Sequence, residues 1–207
     1  MLSISKDTLA ELPAVNYEGR CILLETPSAF RDAAKYLSKM ERVGFDTETK
    51  PSFQKGRVHK VSLLQLATNE ECFLFRLNKA GITKHLQNLL ENPDIQKIGL
   101  STKDDFQALR RLNPELQPQN FLELQSWVKD FQILDNSLSR IYAIIFGQRI
   151  SKSQRLTNWE ADELTVFQQN YAAIDAWACL RIYEHLKAGG FIPSESPYQV
   201  QPEENKI

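Results

Sequence analysis

Two acids one residue apart, Asp46 and Glu48, close the segment Val43-Gly44-Phe45-Asp46-Thr47-Glu48-Thr49. If its apolar start is a strand, both carboxylates project from one face, because side chains alternate along a strand. Like charges that close repel each other unless a cation lies between them. Hard divalent cations such as magnesium and manganese take oxygen ligands of this kind. Two solvated acids on an exposed loop would show the same pattern. A second acid is conspicuous for its isolation: between Glu163 and Arg181 the only charged residue is Asp175, set in Tyr171-Ala172-Ala173-Ile174-Asp175-Ala176-Trp177-Ala178. A carboxylate buried among alanines and aromatics is costly unless something compensates it. A metal ion would do so, and so would a salt bridge to an arginine. Tyr171 stands four residues earlier, so its hydroxyl shares a helix face with Asp175. A third acidic point, Asp104-Asp105, follows the apolar run Ile98-Gly99-Leu100 and opens a helix. Acids are common there for a plainer reason, since they complement the helix dipole.

The elements that must position these side chains can be read from apolar periodicity and turn residues. Strands are predicted at 21–24, 43–46, 61–66, 72–77, 95–100 and 121–124. The polar link Thr68-Asn69-Glu70-Glu71 reads as a hairpin turn. Helices are predicted at 82–90, 104–112 and 137–146, and one capped by Ser28 runs through about Met40. A long helix over 163–186 places Leu164, Phe167, Tyr171, Ile174, Ala178, Ile182 and Leu186 at three- and four-residue steps. A hairpin followed by strand–helix–strand units implies an α/β fold, a mixed sheet flanked by helices. Residues 1–20 read as an N-terminal arm with a short helix before Pro13, 21–187 as the domain proper, and 188–207 as a polar, loosely held tail.

Composition sets outer bounds. The chain has 207 residues, 42% hydrophobic and 25% charged, enough for one ordinary core. A net charge of -1 does not fit a protein that coats duplex DNA with its whole surface, so any nucleic-acid contact must be a local patch. Three widely spaced cysteines offer neither a disulfide framework nor a zinc site. No stretch has the roughly 18 apolar residues of a membrane span, and the first residues lack a secretory pattern, so a cytoplasmic location is expected.

Taken in order, these motifs resemble the DEDD 3′-5′ exonuclease superfamily in its tyrosine-bearing subgroup, the group of RNase D and Werner-type exonuclease domains. Lys60-Val61-Ser62-Leu63-Leu64-Gln65-Leu66 looks like the strand that follows the first motif. Lys152-Ser153-Gln154-Arg155, Asn158-Trp159, Leu164, Gln168 and Tyr171-Ala172-Ala173-Ile174-Asp175-Ala176 look like the third motif and its approach. The likeness spans about residues 42–186. It implies an RNase H-like fold with a central five-stranded sheet, and Asp46, Glu48, Asp105, Tyr171 and Asp175 as the catalytic set. The four carboxylates would be ligands of two Mg²⁺ or Mn²⁺ ions. Asp105 is chosen over Asp104 because Lys103, Asp105, Phe106 and Leu109 fit the second motif's pattern. On the fifth strand of the central set Glu123 departs from the family, since relatives often carry Asp there; none of the five key positions is touched.

The implied reaction is metal-dependent hydrolysis of single-stranded or recessed 3′ ends, of DNA or of RNA, to nucleoside 5′-monophosphates. The resemblance gives Asp46 to both ions, Glu48 and Asp175 to the first, Asp105 to the second, and Tyr171 to the attacking water. Thr47, Lys50, Lys55 and Arg57, with Lys60 nearby, form one expected nucleic-acid track. Arg149, Lys152 and Arg155 form another, and Phe53 is a candidate to stack on a terminal base. RNase D carries further helical RNA-binding domains for which this length leaves no room, which tilts the expectation towards DNA. A catalytically silent binding module on the same fold is the alternative reading.

Overall fold

The computed structural model describes residues 1–54, 56 and 58–200. Six strands, β1 (Arg20–Leu24), β2 (Arg42–Thr49), β3 (Val61–Ala67), β4 (Glu71–Arg76), β5 (Gln96–Gly99) and β6 (Phe121–Glu123), form one sheet in the order β1-β4-β3-β2-β5-β6. The expected five becomes six because the short 21–24 segment is a full member, pairing parallel with β4 from Arg20↔Glu71 to Leu24↔Phe75. Only β3 runs against the rest, through the predicted hairpin to β4.

Among the described residues eight α-helices accompany the strands: α1 (Lys6–Glu11), α2 (Pro27–Leu37), α3 (Leu77–Ala80), α4 (Lys84–Leu90), α5 (Thr102–Arg110), α6 (Leu124–Trp127), α7 (Leu138–Phe146) and α8 (Val166–Lys187). Several ends differ from expectation, and the caps show why. Thr26, not Ser28, caps α2 by accepting from the Ala29 amide, with Pro27 preset for the first turn. Leu164 stays outside α8, because Thr165 and Gln168 close a capping box that starts the helix at Val166.

The sheet is covered on both faces. Strand β3 is buried at every residue, so it reads as a continuous run rather than an alternation. On one face Val43, Phe45, Leu64, Leu66, Phe73 and Phe75 pack against α2 and α4, with Phe30 edge-on to Phe75 at 5.0 Å. On the other, Leu63, Ala67, Cys72 and Leu74 meet the alanine-rich half of α8. Arg76 lies wholly buried near the start of that helix. It donates to the carbonyls of Ala161 and Asp162 and pairs with Glu25, pinning the loop that leads into α8.

The flanking segments are joined to this body by backbone hydrogen bonds. Leu2 N–H reaches Gln132 O at 2.8 Å and Val200 N–H reaches Met1 O at 2.9 Å. Among the described residues no helix is long and apolar enough to cross a membrane.

Candidate active site

The site forms where β2 outruns its neighbour. Pairing with β5 involves only Arg42, Val43 and Gly44, so the remainder of β2 projects past the end of β5. Crevices beyond the carboxyl ends of strands are the usual ligand sites of α/β sheets. Asp46 and Glu48 share a face, as alternation requires, and the register with β3 shifts immediately after Glu48. Such bulges re-aim side chains at strand ends.

Helix α8 supplies the third acid on that face. Gly44 and the alanines at 172, 173 and 176 let it approach β2 closely, with Ala172, Ala173 and Ala176 fully buried. One oxygen from each of Asp46, Glu48 and Asp175 can then be chosen so that all lie within 4.8 Å of one another. Glu48 and Asp175 are each only 8% exposed. No ion pair among the described residues reaches any of the three. The arginine salt bridge that could have explained Asp175 is therefore not what compensates it.

The electrostatics follow from that crowding. Burial pushes Glu48 up to about 9, reinforced by Asp175 and Asp105 and opposed by Arg155. Burial brings Asp175 to about 7, against the pull of the Tyr171 hydrogen bond and the Lys152 charge. Asp46 is held well above the ordinary carboxylate range by burial and then by Asp175, Asp105 and Glu48. Three carboxylates in this state fit a hard divalent cation, which prefers oxygen donors and would relieve the repulsion.

Asp105 arrives from the other side. Helix α5 packs on the face opposite α8, where Phe106 meets Phe45 and Phe121. Asp105 is half-buried and accepts the Thr47 hydroxyl at 2.5 Å. Burial brings its carboxyl to about 6, with the Thr47 bond acting against it. Asp104 is exposed. Asp105 is not one of the close trio, yet its charge is felt by both Asp46 and Glu48. Thr47, expected to touch nucleic acid, spends its hydroxyl on Asp105. Tyr171 packs beside the buried Trp159, ring centroids 6.0 Å apart, and hydrogen-bonds Asp175. Burial, then Asp175 and Glu48, keep its hydroxyl protonated far above the usual range.

A cleft of about 430 Å³ opens beside these groups, walled by Asp46, Tyr171 and Asp175 and by Lys152 and Arg155 from the loop before α8. Gln168 ties that loop to the helix, donating to Thr157 Oγ1 at 3.0 Å. The other basic track is arranged differently. Lys50 and His59 both pair with Glu160, the His59 Nδ1 contact being 2.8 Å. Lys55 and Arg57 lie outside the described residues. Phe53 is widely exposed. Ser101, Gln125, Asn136, Ser137 and Ser139 also line the cleft. None stands out in the sequence as a site residue, because isolated amides and hydroxyls carry no spacing signal.

A family model described as 3′-5′ exonuclease matches residues 21–189. The mouse bifunctional 3′-5′ exonuclease/ATP-dependent helicase WRN is 33% identical over 162 residues, which are 75% of this chain and 11% of that protein. The chain thus spans about a tenth of that relative's length. Among solved structures, the EXO domain of Aedes aegypti Nibbler aligns over 88% of this chain and 97% of its own, with a TM-score of 0.77 at 21% identity. Escherichia coli RNase D, an exoribonuclease involved in structured RNA processing, aligns over 84% of this chain and 47% of its own, with a TM-score of 0.70 at 22% identity. Together these likenesses make the fold RNase H-like.

Proposed function

The chain belongs to the 3′-5′ exonuclease family, and on that footing we propose that it hydrolyses the last phosphodiester bond at the 3′ end of single-stranded or recessed-end DNA, with RNA the other candidate strand. The observation that carries this reading is the trio of carboxylates from β2 and α8, within 4.8 Å of one another and with no salt-bridge partner among the described residues. The unit responsible is taken as residues 21–187, with 1–20 and 188–207 as flanking segments.

Asp46, Glu48 and Asp175 would hold divalent metal, Mg²⁺ or Mn²⁺, with Asp46 shared between two ions and Asp105 serving the second from the α5 side. When bound, such ions supply charge stabilisation at the phosphate and an activated water. The protein's own groups do the positioning. Tyr171, protonated and fixed between Trp159 and Asp175, offers its hydroxyl to align the attacking water. Lys152 and Arg155 lie on the cleft wall beside the carboxylates, where cations bind the phosphates of the entering strand. On this reading the strand end enters unpaired, and the products are nucleoside 5′-monophosphates.

The test is product analysis. A strand labelled uniformly is digested with Mg²⁺ or Mn²⁺, and early products are separated by size. Mononucleotides bearing a 5′-phosphate from the first time point support the reading. Oligonucleotides appearing first would mean internal cleavage, and an uncut strand would leave a binding module.

A further inference from the structure

Glu123 closes β6 and sits at the foot of the helix that bears Asp105. The chain leaving β5 turns sharply at Ser101, whose φ of 63° lies in the left-handed region that non-glycine residues seldom adopt. Helix α5 begins at the next residue. Its first amides need acceptors, and the Ser101 side chain provides none. The neighbouring strand does. Strand β6 ends at Glu123, in register with Gly99 of β5. Its Oε1 accepts from the backbone N–H groups of Ser101 and Gln125, both at 3.0 Å. Its Oε2 accepts from the Thr102 backbone N–H at 2.7 Å and from the Thr102 hydroxyl at 2.9 Å. Each oxygen therefore takes two donors, and no lysine or arginine among the described residues pairs with it.

The clamp leads in two directions, both towards the site. Thr102 is three residues before Asp105, so the two lie on one helix face, and Asp105 is tethered at its far end to Thr47 of β2. Gln125, whose amide N–H Glu123 holds, donates from its own Nε2 to the Ser101 hydroxyl at 2.9 Å, and both residues wall the cleft. There is little slack between strand and helix, since a Cβ on Gly99 would stand 2.6 Å from Thr102 Cγ2.

We propose that Glu123 is a positioning residue for the reaction: it fixes the first turn of α5 and thereby sets Asp105 against Asp46 and Glu48. The proposal rests on the exonuclease reading above. Charge-assisted bonds are the strong kind, and catalysis tolerates little misplacement of a participating group.

The experiment is a cycle of single-turnover measurements on the whole chain, combining Glu123→Gln with Asp105→Asn. Glu123→Gln keeps the side chain's size but replaces one acceptor oxygen with a donor. It is expected to lower the single-turnover rate constant by about 10- to 100-fold, with the half-saturating substrate concentration within about twofold. The Mn²⁺-induced rise in Tm should keep its wild-type size, because the carboxylate trio is untouched. Glu123→Asp should recover part of the rate by restoring the charge. In the Asp105→Asn background Glu123→Gln should cost no more than about twofold, the scatter allowed to non-interacting sites. An equal fold-loss in both backgrounds would show that Glu123 acts only on general stability and would overturn the proposal. So would an unchanged rate, or a loss confined to substrate binding. If Asp105→Asn alone left turnover intact, the assignment of Asp105 would fall and the proposal with it, whereas a Glu123 effect independent of an impaired Asp105→Asn would sink the proposal alone.

Discussion

A Cβ placed on Gly44 would stand 1.9 Å from the carbonyl oxygen of Ala176. Strand and helix touch there backbone to backbone, two residues below Asp46 and one residue beyond Asp175. The contact is what lets carboxylates 129 residues apart face one another. Gly44→Ala must therefore push α8 away from β2. We expect a stability loss of about 1–3 kcal/mol, the usual cost of overpacking a core, and a fall in turnover larger than that loss of folded protein explains. Urea unfolding with single-turnover cleavage checks both, and a variant as active as the wild type would show that the site does not depend on this approach.

Asp105 and Asp104 are adjacent, yet one is tied to Thr47 and half-buried while the other is exposed. Asp105→Asn should lower turnover by about 100-fold or more, on the scale of losing one preorganised charge. Asp104→Asn should stay within about twofold, as surface changes do. Rates measured side by side decide it, and the reverse order would move the second-motif role to Asp104.

How far these features were legible depends on the range of the physics behind them. Asp46 with Glu48, and Tyr171 with Asp175, follow from the periods of strand and helix, which act over two to four residues. The capping box of α8 is equally local: Thr165 and Gln168 start the helix at Val166, three residues after the start that apolar periodicity predicts. What was not legible joins distant segments. The Thr47 hydroxyl lies on the face of β2 away from Asp46, and nothing in the sequence shows that α5 brings Asp105 to it. Lys50 was read as a phosphate contact, but its pairing with Glu160 comes from a loop over a hundred residues on. That the strand predicted at 21–24 joins the sheet as its sixth member shows only in the parallel register of β1 on β4. Lys97, a cation inside the sheet, defies the pattern that would have found it.

Tyr171→Phe deletes one hydroxyl and leaves the ring beside Trp159. If the hydroxyl aligns water, turnover should fall about tenfold, the worth of one well-placed hydrogen bond, with the half-saturating substrate concentration and Tm little changed. Steady-state kinetics with a thermal melt separate these effects. Turnover equal to the wild type would remove the water-aligning role.

Lys97 is fully buried, its ammonium donating to the carbonyls of Asn92 and Ile95 at 2.7 and 2.8 Å. Burial pulls it down to about 8 from the usual 10.5. Between those values the unfolded chain keeps a proton that the folded protein has released, so stability rises with pH across that window and is flat in this term below it. The gain is at most about 3 kcal/mol. Lys97→Met should flatten the rise, seen as urea midpoints at pH 7.5, 9 and 10. A variant with the same pH slope as the wild type would mean that Lys97 keeps its charge in the fold.

On the proposed reading, the carboxylates of β2 and α8 make this chain a metal-dependent exonuclease acting from 3′ ends. The most direct test is a gel time course on 5′-labelled single-stranded DNA, RNA and a recessed duplex, with Mg²⁺, with Mn²⁺ and with EDTA, run for the wild type and for folded Asp46→Asn. A ladder that shortens one nucleotide at a time is expected with the wild type and metal, and its disappearance with EDTA or with Asp46→Asn. Degradation that persists in Asp46→Asn at the wild-type rate, or no shortening of any strand by folded wild type under either metal, would contradict it.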